Sequence, residues 1–206
     1  MKLETIYNNL VDCIDNPSEL QILADKIKQA IRLETCYKTS TKKRINAIKR
    51  CASKWNDRPA LTGYGICDNY KVVTDSYHLI AIYQEDMPLK LVTNDINEAE
   101  KVGKENCINA VYPNLKSIID FDTSNYNTIE IDYDDIETYY KINKKDAENK
   151  PYELNGKYYN IKYLKDIIDV LGTDITVYQS CDDEYRPLYL VNDKNEVGLV
   201  LGIKKY

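Results

Sequence analysis

The sequence predicts an α+β protein. Two observations separate the elements: apolar residues recur at helical spacing in several stretches, while other stretches are short β-branched runs bounded by turn signals. A third gives the architecture, because a unit of one helix followed by about three strands occurs at 41–83 and again at 161–203, which predicts a pseudo-symmetric fold with antiparallel sheets. At 206 residues the chain has room for one sizeable domain and a small appendage. The expected division is a helical hairpin over 1–36 and an α+β domain over 37–206.

Taking the elements in order, Leu3, Ile6, Tyr7, Leu10, Val11 and Ile14 form one stripe on a first helix. Asp15 and Asn16 interrupt it. Pro17 then suits a first helical turn, and Asn16 with Glu19 makes a capping pair. A second stripe follows in Leu20, Leu23, Ala24, Ile27, Ala30 and Ile31. Neither helix buries its stripe alone, hence a hairpin.

A third helix is predicted from Ser40 to Trp55 on Ile45, Ile48, Ala52 and Trp55. Its polar face is basic: segment 38–58 carries eight Lys and Arg against Asp57 alone, although the chain as a whole has 28 bases and 33 acids. Pro59 ends this helix. Leu61–Cys67, Lys71–Thr74 and Leu79–Tyr83 then read as strands of a meander, turning at Asp68-Asn69 and Asp75-Ser76.

Residues 93–110 carry only weak helical signals, and Tyr112-Pro113-Asn114 marks a turn or crossing. From Ile118 to Tyr140 there are seven acids and no base, with a strand near Thr128–Ile131 and a helix starting at about Tyr133. Asn155-Gly156 predicts a two-residue hairpin. Helix 161–171 is closed by Gly172, and strands follow at Ile175–Gln179, Pro187–Val191 and Val197–Ile203.

Composition excludes several classes. No apolar run approaches the ~20 residues that cross a bilayer, and Met1–Leu10 has no continuous apolar core of a secretion signal, so a cytoplasmic location is expected. Six cysteines without a C-x-x-C pair, and one histidine, argue against zinc and for reduced, mostly buried thiols. No phosphate-cradling glycine loop and no nucleophile motif accompany His78, so neither an enzyme nor a cofactor is expected, and His78 reads as a strand-end surface or core residue. The bias to Lys, Asn, Ile and Tyr, with 19 Tyr against one Phe, is that of A/T-rich codons and suggests a low-GC bacterium or its phage or plasmid.

The order of motifs resembles the bacterial beta sliding clamp. Arg58-Pro59-Ala60-Leu61-Thr62-Gly63 is similar to its R-P-x-L-x-G strand, and Val73-Thr74-Asp75-Ser76-Tyr77-His78-Leu79-Ile80-Ala81 to its A-T-D-G-x-R-L-A turn. Tyr112-Pro113-Asn114 resembles the interdomain F-P-D-Y segment. Tyr159-Asn160-Ile161-Lys162-Tyr163-Leu164-Lys165-Asp166 resembles the F-N-x-K-Y-L-x-D helix, and Pro187–Val191 with Leu199–Lys204 the terminal strands. Ser76 and His78 stand where the clamp has Gly and Arg, and Gly202 where it has Pro. The resemblance implies sliding-clamp-like βαβββ units, shortened to about one domain, so that a ring would need several copies.

It also implies binding rather than catalysis. Lys42, Lys43, Arg44, Lys49, Arg50 and Lys54 match the helix that meets DNA phosphates in clamps, although a charge run is also an ordinary solvated face. Thr74, Leu79, Pro113, Ile118, Leu199 and Leu201 match the apolar pocket for partner peptides, or are simply core. The acidic cluster Asp132, Asp134, Asp135 and Glu137 offers carboxylates where a nucleic-acid-binding partner expects phosphates, or a favourable first helical turn. The expected function is that of a phage or mobile-element protein that inhibits or modulates DNA-handling machinery, such as a CRISPR effector nuclease or a replication protein. The alternative is a miniature sliding clamp, a homo-oligomer on duplex DNA.

Overall fold

The fold was analysed in a computed structural model, which describes residues 41–54, 58–84, 87–88, 91–95, 97, 100, 103–104, 107–147, 150–181 and 186–204. The predicted hairpin over 1–36 lies outside the described residues, as does Trp55. Of the two units into which the chain divides, Met1–Lys43 and Arg44–Tyr206, the architecture below is that of the second.

Helix α1, residues 41–51, opens the described chain. It buries Ala47, Ile48 and Cys51, with Ala52 buried just beyond its end, whereas Ile45 of the expected stripe is only half-buried. Pro59 starts a 3-10 turn, Pro59–Thr62, so the strand predicted from Leu61 is shortened to β1, Gly65–Cys67. Strands β2 (Tyr70–Thr74) and β3 (His78–Tyr83) complete the expected meander.

After a short helix α2 (Lys116–Ile119) come β4 (Tyr126–Ile129) and α3 (Tyr133–Ile142). Next are β5 (Pro151–Leu154) and β6 (Lys157–Asn160), joined at Asn155-Gly156, whose φ values of 48° and 79° are those of the predicted tight hairpin. Helix α4 (Ile161–Leu171) is closed by local chemistry at both ends: Asn160 accepts from the Lys162 N–H, and Gly172, at φ 89°, donates to the Ile168 carbonyl. Strands β7 (Ile175–Ser180) and β8 (Leu188–Asn192) follow. The final predicted strand is split into β9 (Val197–Val200) and β10 (Gly202–Ile203).

The split decides the topology. β9 belongs to a seven-stranded sheet of order β1-β2-β3-β9-β8-β7-β4, and β10 to a three-stranded sheet of order β10-β6-β5. Within the large sheet the two helix-plus-three-strand units meet edge to edge, with Leu79 opposite Leu199 and Ile80 opposite Gly198. All the named pairings are antiparallel.

Alternation along the strands gives the sheet two apolar faces. Val73, Ile80, Ile82, Leu188, Leu190 and Val200 face α1 and α4, where they meet Ile48, Leu164 and Ile167. Each such side chain contributes about 1.5–3 kcal/mol by leaving water. Gly198 is required here, because a Cβ on it would lie 2.2 Å from Ile167 Cγ2. Val72, Leu79, Ala81, Tyr189, Val197 and Leu199 form the other face, covered in part by Leu115, Ile118, Ile119 and Phe121.

Candidate functional site

The basic helix divides into two sets of side chains. Lys42, Lys43 and Lys54 are exposed and Lys49 is half-buried. Arg44 and Arg50 instead meet buried carboxylates. Arg44 Nη2 donates to both oxygens of Glu196 at 3.1 Å, and Glu196 also accepts from Asn192 Nδ2 and the Tyr83 N–H. Arg50 donates to Asp166 Oδ1 from Nε at 2.9 Å and from Nη2 at 2.5 Å, and lies 4.0 Å from Asp169. These contacts tie α1 to α4 and to the turn before β9. They give Arg44 and Arg50 an internal role that their position in the charge run does not reveal.

The acidic residues are divided in the same way. Asp132 caps α3, accepting from the N–H groups of Asp134 and Asp135 at 2.9 and 3.0 Å. Asp135 accepts from the Tyr152 hydroxyl at 2.5 Å, and burial together with that carboxylate raises the hydroxyl's pKa. Glu137 sits between Lys141 and Lys165, at 3.3 and 3.1 Å; burial pushes its carboxyl up, but the two lysines outweigh it and hold it below the ordinary range. Lys165 also pairs with Asp169. Asp134 remains exposed beside Asp132 and Glu130, lining a shallow cleft of about 670 Å³ with Ile131, Tyr133 and Thr173.

Four of the six apolar positions come together. Leu79 and Leu199 are buried opposite each other, with Ile118 and Leu201 packed on the same cluster. Phe121 closes over Tyr189, ring centroids 3.7 Å apart, and burial pushes the Tyr189 hydroxyl up to about 12. Thr74 is not in this cluster: its hydroxyl donates to the His78 carbonyl at 2.6 Å. Pro113 is exposed and lines a cavity of about 250 Å³ with Gly65, Ile66 and Tyr112, together with Cys67, Val72 and Leu115 of the same apolar cluster. The four converge as packing between the sheet and the 115–121 segment.

His78 is a core residue. It is 1% exposed, its Nδ1 lies 2.9 Å from Asp75 Oδ1, and its ring stacks on Tyr163 of α4 at 4.2 Å. Burial raises the Asp75 carboxyl, but the imidazole and the N–H groups of Tyr77 and His78 reverse this and hold it below the usual range. Cys51 is buried with its thiol on the Val73 carbonyl, and burial pushes its pKa well up, which makes it inert. Cys67 and Cys107 are half-buried, and Cys181 is exposed at the end of β7. Among the described residues no group of three or more His, Cys, Asp or Glu is placed to hold a metal ion, and no helix is long and apolar enough to cross a membrane.

The sheet order and the paired units are the setting for comparison with known proteins. No protein-family model matches the sequence. No curated protein matches it either. Among solved structures the chain is similar to the beta sliding clamp of C. crescentus, at 12% identity and a TM-score of 0.48, over 81% of this chain. The match spans 64% of that clamp's chain.

The carboxylates that matter most to this site, Glu196 and Asp166, were not singled out from the sequence. Glu196 is 152 residues from Arg44 and sits in a polar turn, so nothing local distinguishes it. Asp166 does carry a local signal, since it interrupts the interior of an apolar helix.

Proposed function

We propose that the protein acts by binding, without catalysis, in the cytoplasm. On this reading it is a phage or mobile-element protein that engages a nucleic-acid-handling protein and inhibits or redirects it, as an anti-CRISPR protein blocks a nuclease's access to nucleic acid. The disposition of charge carries this reading. Of the six candidate phosphate-binding cations Lys42, Lys43, Arg44, Lys49, Arg50 and Lys54, two are turned onto buried carboxylates, whereas Asp120, Asp122, Glu130, Asp132 and Asp134 are exposed in a stretch with no base. A basic groove selects spaced negative charge whatever supplies it, and electrostatic complementarity steers such encounters.

A second reading, a miniature processivity clamp, is favoured by one observation: the two helix-plus-three-strand units join in register and place α1 and α4 on one sheet face. On that reading Lys42, Lys43, Lys49 and Lys54 contact phosphates. The molar mass of the full chain by light scattering, alone and with duplex DNA over a salt series, separates the two. A closed oligomer whose DNA affinity falls steeply with salt supports the clamp and overturns the inhibitor. No binding to duplex removes the clamp reading.

A further inference from the structure

We propose that His78 and Asp166 form a buried proton-binding site, in which one proton taken from solvent is held between His78 Nε2 and Asp166 Oδ2 and latches the β2–β3 turn onto α4. The device is independent of which partner the protein engages. His78 opens β3 and is the one histidine of the chain. Its Nδ1 lies 2.9 Å from Asp75 Oδ1, which also accepts from the N–H groups of Tyr77 and His78. A carboxylate oxygen in that position is an acceptor only, so Nδ1 is the ring nitrogen that carries hydrogen. In a neutral ring Nε2 is then a bare acceptor. It is buried with no hydrogen-bond partner among the described residues, and so is Asp166 Oδ2. The imidazole stacks on Tyr163, ring centroids 4.2 Å apart, and Asp166 stands three residues further along the same face of α4.

The surrounding groups favour the proton at this place. From the turn, Asp75 is already committed to Nδ1 and two N–H groups. From α1, Arg50 occupies Asp166 Oδ1, and the Cys51 thiol lies on the carbonyls of Val73 and His78. From α4, Tyr163 offers a ring face, and burial raises the Asp166 carboxyl against the opposing pull of Arg50, His78 and Lys162. The Thr74 hydroxyl of β2 is on the His78 carbonyl, and Val200 of β9, opposite His78, is apolar. Asp75, Asp166 and Arg50 together carry one net negative charge, which an imidazolium cancels. With the proton bound, Asp166 joins α1 through one oxygen and β3 through the other. Without it two buried acceptors lie unsatisfied and the turn loses that tie to α4. A histidine that gains a carboxylate on folding adds stability that is fully present below the unfolded value of about 6.5, and that is lost as pH rises through the folded value.

The test uses the full chain with isotope-labelled histidine, which reports this ring alone in nuclear magnetic resonance. At pH 7 we expect both ring nitrogens to carry hydrogen. In Asp166→Asn, Arg50 takes the amide oxygen and the amide N–H is turned onto Nε2 in place of the proton, so the ring should become neutral with hydrogen on Nδ1 only. A neutral ring in the wild type at pH 7 overturns the proposal, as it would where a water molecule bridges the two atoms, and that spectrum needs no variant to fold. The second measurement is thermal melting. Between pH 6 and pH 8 the melting temperature of the wild type should fall by about 2–4 °C more than that of Asp166→Asn, and His78→Gln should follow Asp166→Asn. Equal falls in the wild type and Asp166→Asn overturn the latch even where the ring is charged, because the proton then ties nothing together.

Discussion

Arg50 donates two hydrogen bonds to one oxygen of Asp166, while the other oxygen, Oδ2, is buried and has no hydrogen-bond partner among the described residues. The carboxylate is thus paired on one side and desolvated on the other. Burial raises its pKa despite the guanidinium beside it.

This asymmetry predicts unequal costs for the two halves of the pair. Arg50→Ala leaves a buried charge uncompensated, and should cost roughly 2–3 kcal/mol once the cost of breaking a buried pair is discounted for the 36% exposure of the arginine side chain. Asp166→Asn keeps an acceptor and removes the charge, so it should cost under about 1 kcal/mol. Urea denaturation of both variants gives the comparison directly.

The Asp75 carboxyl, held low by His78 and two N–H groups, predicts an acid limb of stability. A carboxylate with a depressed folded-state pKa contributes stability above its unfolded value of about 3.9, and that contribution is lost as pH falls through the folded value. The melting temperature of the wild type should therefore drop more between pH 5 and pH 2.5 than that of Asp75→Asn. Parallel curves for the two proteins would show that the imidazole does not hold the carboxyl low.

At Leu199, buried opposite Leu79, substitution by alanine should act on stability before it acts on any partner. The expected loss is about 2–5 kcal/mol, as for other core leucines. An open peptide pocket at this position would give a stable variant with weakened binding instead, which denaturation and binding assays on the same preparation distinguish.

Ser76 has φ 82°, in the region that favours glycine. Its N–H bonds to the Thr74 hydroxyl, and its own hydroxyl accepts from Arg58 at 2.9 Å in an exposed position. Ser76→Gly relieves the backbone at the cost of that surface bond, and should stabilise by about 1 kcal/mol, visible as a few degrees in thermal melting.

Much of the fold was legible because it is encoded locally. Gly172 marks the end of α4, and Asn155-Gly156 marks the hairpin of β5 and β6, through chemistry that involves only neighbouring residues. The break at Leu201 was not legible, since its flanking strands are apolar on both sides and their separation into two sheets is decided by what they pair with. At the site, the acidic stretch and the basic helix were both visible as charge. Which charges were already committed was not, because the partners of Arg44 and Arg50 lie 152 and 116 residues away in the chain.

The seam between β3 and β9 also has a kinetic consequence. Leu79 and Leu199 are about 120 residues apart, whereas the hairpins on either side of them close locally. Joining the two halves therefore requires a long loop to be ordered before its contacts repay the entropy, and this step should set the folding rate. Until it is complete, the edge of β3 is open and flanked by apolar residues on both faces, so a stalled or truncated chain carries an adhesive strand that the finished protein hides at its centre.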